Sequence, residues 1–209
     1  MKSADIYISI ENVSKLYSRD KGIRNVTTRF ECGQLNLLVG ANGSGKTTLL
    51  KCIMGLVRYQ GKIDRERTRI GYAPEQYVMP SFMNVTDFLI SIGRVKKHPQ
   101  AELRKAVEEK LKLFGLDGMS AWPIGKLSNG MKQKINLLQS IIHKPGILLL
   151  DEPLAALDLE ARKTFVSLIR QLCKSTLIIV STHYPDLFRE RKARIYRIEK
   201  GRIVTDGPA

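Results

Sequence analysis

No apolar run in this chain reaches the ~20 consecutive residues that a membrane-spanning helix requires. The opening Met1-Lys2-Ser3-Ala4-Asp5-Ile6-Tyr7 has neither the apolar block nor the small-residue cleavage site of a secretory signal. Cysteine is scarce: Cys32, Cys52 and Cys173 are an odd set without C-x-x-C spacing. That speaks against a disulfide framework or a zinc site and for free thiols in a reducing cytosol, so the chain is expected to be cytoplasmic. Proline, glycine and serine are not concentrated from Val85 to about Leu116, so that stretch does not read as a linker, and no repeat or low-complexity tract is present. Acidic residues are the other shortage, with 20 Asp+Glu against 35 Lys+Arg and a formal net charge of +15. Such a balance suits an anionic membrane face or a nucleic acid, and equally a plain solvated surface. The densest basic cluster is Arg189, Arg191, Lys192, Arg194, Arg197, Lys200 and Arg202. Aromatics do not alternate through it as they would in a base-stacking platform.

The rest of the composition, 43% hydrophobic and 26% charged over 209 residues, is that of one large globular domain with a substantial core. Its central stretch is Gly40-Ala41-Asn42-Gly43-Ser44-Gly45-Lys46-Thr47-Thr48. An apolar run, Leu35 to Val39, precedes it, and a helix-like segment from Leu49 to Leu56 follows. Strand, glycine loop and helix are the context of a phosphate-binding loop. Glycines let several backbone N–H groups turn onto one anion, and a helix start adds unpaired donors and a positive dipole end. Lys46 would reach the terminal phosphates of a nucleoside triphosphate, and the Thr47 hydroxyl would take one position on Mg²⁺.

Alternation at Ile6, Ile8 and Ile10 reads as a strand over Asp5 to Val13, and Val26, Thr28 and Phe30 read as another. Tyr17 lies between them and has no role by its spacing alone. Gly61–Asp64 and Arg69–Tyr72 are short strands, and Pro74 and Pro80 bracket a loop holding Glu75 and Gln76. From Val85 to about Leu116 the chain reads as helical, with Phe88, Leu89 and Ile92 on one apolar face and Leu103, Val107, Leu111 and Phe114 on another. Leu127-Ser128-Asn129-Gly130 opens a further helix that Pro145-Gly146 stops. The fully apolar runs Ile147–Leu150 and Leu177–Val180 read as buried parallel strands, with a helix from about Asp158 to Leu172 between them. Arg194 to Val204 reads as a hairpin turning at Lys200-Gly201. Strands alternating with helices predict an α/β fold with a mainly parallel sheet.

The strand ending in Asp151-Glu152-Pro153 is expected beside the strand of the phosphate loop, with ligands at its carboxyl end. On an extended chain the two carboxylates point opposite ways, so they divide the work. Asp151 suits the magnesium shell as a hard oxygen ligand, and Glu152 the water that attacks the γ-phosphate. The Gln76 amide could contact both Mg²⁺ and that water, though spacing alone gives it no role. His183 ends a buried strand, where a histidine is more often a structural hydrogen-bonder than a reactive group.

Taken jointly, the phosphate loop, Gln76, Leu127-Ser128-Asn129-Gly130-Met131, Asp151-Glu152-Pro153, Leu157-Asp158 and Thr182-His183 follow one known order. Over nearly its whole length the sequence resembles the ATP-binding subunit of the ATP-binding cassette (ABC) superfamily. The resemblance implies a P-loop NTPase fold in one domain, residues 1–209. Residues 1–84 and 121–209 would form the ATP-binding core with an antiparallel β subdomain, and about 85–120 an inserted helical subdomain, with the signature starting at Leu127. It implies ATP and Mg²⁺ as cofactors, Tyr17 stacked on the adenine, and Gly40 through Thr48 around the phosphates. Thr47, Gln76 and Asp151 would serve the metal, and Glu152, His183 and Gln76 the hydrolysis. Ser128, Asn129, Gly130 and Met131 would contact ATP held by a second subunit, and Asp158 would lie in the subunit-contacting loop. Relatives carry Gly-Gly-Gln where this chain has Asn129-Gly130-Met131. Asn129 is expected to preserve a left-handed loop conformation there, whereas Met131 cannot replace a polar glutamine contact.

By the same resemblance, two head-to-tail ATPase subunits would close around two ATP and drive a separate integral membrane permease, whose coupling helix would dock near Tyr77, Met79, Phe82 and Met83. The chain would then sit at the inner face of the cell membrane through its permease. Its short length fits exporter-type cassettes, and no nucleic acid is expected as a partner. The alternatives are a soluble cassette ATPase acting on nucleic acid or ribosomes, disfavoured by the absence of sustained heptads and of a second cassette, and a P-loop kinase or GTPase, disfavoured by the signature.

Overall fold

Three apolar runs organise the molecule, and a computed structural model, which describes residues 6–96, 99–188 and 193–208, places each as a fully buried strand. They are β3 (Leu35–Val39), β6 (Ile147–Asp151) and β7 (Leu177–Thr182). Around them the chain adds β1 (Tyr7–Ser18), β2 (Lys21–Glu31), β4 (Gln60–Arg65), β5 (Ile70–Ala73), β8 (Ala193–Glu199) and β9 (Arg202–Pro208). The helices are α1 (Lys46–Met54), α2 (Val85–Val95), α3 (Gln100–Leu113), α4 (Asn129–Ile141) and α5 (Leu159–Leu172). A six-stranded sheet runs in the order β5-β6-β7-β3-β8-β9, parallel except for β9, and an antiparallel sheet runs β2-β1-β4.

This order corrects one expectation. β6 does not lie beside β3, because β7 pairs with both. Asp151 therefore registers with Ser181, and Val39 with Thr182. All three strands are apolar along most of their length, and the apolar runs of β6 and β7 carry no sign of which lies beside β3. Of the basic cluster, Arg189, Arg191 and Lys192 lie outside the described residues, as does Asp5 at the expected start of β1.

Period-two alternation sends neighbouring side chains to opposite faces of the large sheet. Leu37, Leu148, Leu150, Ile178 and Val180 face one buried cluster together with Phe88, Leu103, Val107 and Phe165 of the helices. Leu38, Ile147, Leu149, Leu177 and Ile179 face a second cluster shared with α1 and the antiparallel sheet. The expected helical stretch after Val85 is two helices rather than one. Asn84 caps α2 by accepting from the Asp87 N–H at 2.7 Å, a cap that fixes where the preceding loop ends. Among the described residues no helix is long and apolar enough to cross a membrane. Cys32 and Cys52 carry free thiols, and burial pushes the Cys52 thiol up to about 11, which leaves it unreactive.

The two sheets are joined at Tyr196, which is fully buried in β8. Its ring packs on Phe30 with centroids 4.5 Å apart, and its hydroxyl donates to the Arg29 carbonyl of β2 at 2.9 Å. The Asn36 side-chain oxygen of β3 lies 3.2 Å from the same hydroxyl. Tyr196→Phe keeps the ring packing and removes the bridge. It is expected to cost about 1–2 kcal/mol, read as a lower urea midpoint with an unchanged slope.

Candidate functional site

The loop between β3 and α1 is shaped by contacts that only glycine permits. At Gly40 an added Cβ would lie 2.3 Å from the Ile198 carbonyl of β8. Gly45, the residue before α1, has φ +115°, and an added Cβ there would meet Ile23 of β2 at 2.8 Å. The loop is also tied to the β8–β9 turn, where Lys200 (φ 45°) and Gly201 (φ 77°) form the expected tight hairpin. The Gly201 N–H donates to the Ser44 carbonyl at 2.9 Å. Thus the hairpin turn buttresses the phosphate loop.

No side chain caps α1, so the N–H groups of its first turn are left pointing into a cavity of about 420 Å³. Asn42, Gly43, Gly45, Lys46, Thr47 and Thr48 line it. Gly40 and Ala41 face it through Lys46, whose ammonium donates to their carbonyls at 2.7 and 3.3 Å. That ammonium, almost sealed from water, also lies 3.4 Å from Glu152 Oε1. The second Glu152 oxygen is 2.9 Å from His183 Nδ1, and the His183 ring stacks on Tyr184. Lys46, Glu152 and His183 thus form one contiguous cluster.

Glu152 departs from the extended chain expected of it. Its φ is +46°, a left-handed conformation that is uncommon for a residue with a side chain. Its N–H donates to the Ser181 carbonyl at 3.1 Å and to the Ser181 hydroxyl at 3.2 Å. The turn swings Glu152 toward Lys46, while Asp151 stays beneath, taking a short hydrogen bond from the Ser181 hydroxyl. Glu152 lines the cavity, and Asp151 is buried beneath it beside Thr47. Tyr17, in the last turn of β1, is exposed and lines the cavity opposite the loop, beside Lys21 and Gly22.

The sequence model described as ABC transporter matches residues 23–155, well over half of the chain. The chain belongs to the ABC transporter family. Among curated proteins it is similar to the uncharacterized ABC transporter ATP-binding protein YxlF of Bacillus subtilis, with 33% identity over 84% of this chain and 62% of YxlF. It is also similar to the sulfate/thiosulfate import ATP-binding protein CysA of Nocardia farcinica, with 32% identity over 96% of this chain and 64% of CysA. The chain thus spans somewhat under two thirds of the length of these relatives. Among solved structures, an ATP-binding subunit of an ABC transporter has a TM-score of 0.87 over 96% of this chain and 89% of that one, at 24% identity, a likeness of fold.

In this ABC ATPase domain the structure does not gather every expected residue. Gln76 is exposed and lies outside the cavity wall; the residue of that loop that lines it is Glu75. A glutamine draws attention by type, whereas the carboxylate beside it, next to Pro74, was the available signal. Lys21 and Gly22 were also missed, because a hairpin turn far from the loop in sequence gives no hint of the contact. Ser128, Asn129, Gly130 and Met131 lie away from the cavity at the start of α4, where the Ser128 hydroxyl accepts from the Met131 N–H at 3.2 Å. Asn129 is the first residue of that helix and has no positive φ, so the left-handed conformation expected of it is not needed. Asp158 caps α5 by accepting from the Ala161 N–H at 2.8 Å, and Lys134 of α4 lies 3.5 Å from it. That backbone hydrogen bond, more than Lys134, holds the Asp158 carboxyl below its usual range.

The donor set fits a Mg²⁺–triphosphate ligand. Ser44 Oγ and Asp151 Oδ2 are buried around the loop without a hydrogen bond, and Glu152 Oε1 meets only the Lys46 ammonium at 3.4 Å. Such atoms are costly to bury, and a ligand that pairs them removes the cost. Among the described residues no cluster of three or more His, Cys, Asp and Glu could hold a metal by itself. This is the pattern expected when magnesium is held by one or two protein oxygens and the nucleotide's phosphates. Burial pushes the Asp151 pKa up, against the hydroxyls of Ser181 and Thr47, which pull it down. The folded-state value therefore lies above the unfolded one, and the associated stability is present at low pH and lost as pH rises through the raised value. Asp151→Asn removes that loss. Without nucleotide it is expected to raise the thermal midpoint at neutral pH by on the order of a few degrees, while abolishing the further rise that Mg²⁺-ATP gives the unaltered chain.

Proposed function

We propose that this domain binds and hydrolyses ATP as one of a pair and drives a separate membrane-embedded transporter from the cytoplasmic face. The observation that carries the reading is the split between the Lys46–Glu152–His183 cavity and the signature residues. Ser128 and Gly130 lie on the outer end of another helix, where a second subunit's nucleotide can reach them and their own cannot. ATP then joins two head-to-tail chains, of this kind or a similar one.

Within the site, the N–H groups of the loop and of the α1 start bind the phosphates, and Lys46 leaves the Gly40 and Ala41 carbonyls for the terminal phosphate. Tyr17 offers its exposed ring to the adenine. Thr47 and Asp151 would hold Mg²⁺, which supplies charge neutralisation across the β- and γ-phosphates. From the neighbouring loop, Glu75 takes the metal- and water-side place that the resemblance gave to Gln76, because Glu75 is the one in the wall. Glu152 orients and polarises the attacking water, and His183, bonded to it, holds it toward the γ-phosphate. Hydrolysis replaces one highly charged ligand with two smaller ones, and the paired subunits separate.

For the membrane partner, the support is the loop after Gln76. Val78 is 99% exposed and Phe82 83%, an apolar pair on a surface otherwise rich in charge. Met79 and Met83 turn inward and pack against the core, so the loop is anchored while its tip is offered. CysA is named for import; in this reading the direction and the cargo belong to the membrane subunit.

The test is recovery from native cells with a Glu152→Gln chain, which is expected to keep ATP binding while losing turnover by about 10²–10⁴-fold. It should come away with a polytopic membrane protein in mild detergent, and Phe82→Asp should lower that recovery without changing ATP affinity. Recovery with ribosomes or nucleic acid and no membrane protein would overturn the transporter reading in favour of a soluble cassette.

A further inference from the structure

Helix α4 carries three primary amides at intervals of three residues, Gln133, Asn136 and Gln139, on the side turned toward the large sheet. Gln133 is 4% exposed and Asn136 1%, at positions where a helix on a sheet ordinarily buries apolar groups. Their polar atoms are satisfied in a directed series. Gln139 Nε2 donates to the Tyr72 carbonyl at 2.7 Å and lies 3.4 Å from Asn136 Oδ1. Asn136 Nδ2 donates to the Pro74 carbonyl at 2.9 Å and lies 3.4 Å from Gln133 Oε1. Gln133 Nε2 donates to the Pro153 carbonyl at 3.0 Å.

The carbonyls at the end of this series are not arbitrary. Pro74 immediately precedes Glu75, and Pro153 immediately follows Glu152. The helix itself begins at the signature residues Ser128 to Gly130. The row therefore bonds the backbone beside Glu75 and the backbone beside Glu152 to the helix that begins at the signature residues. α4 lies against β5, the edge strand of the large sheet, and His143 Nε2 adds a contact of 3.3 Å to the Ile70 carbonyl. Donors to the Ile70, Tyr72 and Pro74 carbonyls are what covering that edge requires. Edge cover does not account for the Gln133 bond to the Pro153 carbonyl or for the contacts of the amides with each other.

We propose that Gln133, Asn136 and Gln139 are positioning residues that make the start of α4, the Glu75 loop and the Glu152 turn move as one unit when nucleotide binds. Aligned amides polarise one another, and the series fixes which way each amide is turned. Displacing Glu75 or Glu152 toward a phosphate therefore pulls α4 with it, and a phosphate meeting Ser128 from the partner side pulls Glu75 and Glu152. The inference rests on the reading of Glu75 and Glu152 as the γ-phosphate side of the site.

Hydrogen–deuterium exchange on the whole chain, with and without Mg²⁺ and a non-hydrolysable ATP analogue, tests this. In the unaltered chain the analogue should slow exchange at Gly40–Thr48 and also at Tyr72–Tyr77 and Glu152–Leu157. In Asn136→Ala and in Gln139→Met, analogue affinity and the slowing at Gly40–Thr48 should persist. The nucleotide-dependent slowing at the other two segments should shrink by about fivefold, the worth of roughly one buried hydrogen bond. Gln139→Arg, which restores a donor, should recover it. Gln139 is only partly buried, so its variants keep the test usable if Asn136→Ala does not fold. Faster exchange at both segments with the nucleotide-dependent difference intact would reduce the amides to an edge cover and overturn the proposal. Failure of the analogue to protect Gly40–Thr48 in the unaltered chain would sink the site assignment itself, and the relay with it.

Discussion

A cation sealed from water is the constraint on which the rest of the structure depends. Lys46 is 6% exposed, and a buried ammonium without partners would be prohibitively costly or would lose its proton. Its partners are two carbonyls of its own loop and one oxygen of Glu152. For those carbonyls to converge, the loop must pass tightly over β8 and β2, which is why Gly40 and Gly45 have no room for a side chain. For Glu152 to arrive, the chain after β6 must break from the extended conformation at once, which is why that residue has a positive φ. The side-by-side order of β6, β7 and β3 fits this, since β7 supplies Ser181 to hold Asp151, and His183, just past its end, meets Glu152.

The elements that could be read directly were those whose chemistry is local. Strand, glycine loop and helix occupy adjacent positions, so that arrangement is legible in one stretch from Leu35 to Met54. The uniformly apolar runs announced buried strands because a parallel sheet covered on both faces leaves no polar side. The hairpin at Lys200-Gly201 was legible because its turn needs two residues with positive φ, and a glycine is the cheapest second one.

What could not be read depended on contacts across the chain. Nothing in Leu177–Val180 differs from Ile147–Leu150, so which of the two lies beside β3 is decided only by the tertiary packing. Glu75 and Gln76 are adjacent, and which one meets the cavity depends on how Pro74 leaves β5 under the hold of Asn136. Asn129 was given a backbone role from its residue type, when a helix beginning at Ser128 needs only an ordinary right-handed residue there. Lys21 and Gly22 reach the cavity through a hairpin tip, a closeness with no periodic signature.

Under-satisfied polar atoms gather at one end of the large sheet. Ser44 Oγ, Asp151 Oδ2 and the Tyr72 hydroxyl are buried without a hydrogen bond, and Glu152 Oε1 meets only the Lys46 ammonium. Burial raises the Tyr72 pKa, and the charges of Asp151 and Glu75 raise it further, so the hydroxyl keeps its proton beside two carboxylates. A fold that needed only stability would place apolar groups here, as it does throughout the two hydrophobic clusters. Instead Asp151 is buried as a carboxylate, and Lys46 is held by a second carboxylate that the turn after β6 delivers to it. On the reading proposed above, a ligand that brings strong negative charge and a divalent cation would pair these groups and release Glu152 and Lys46 from each other, so that binding at the loop would be felt at the turn after β6.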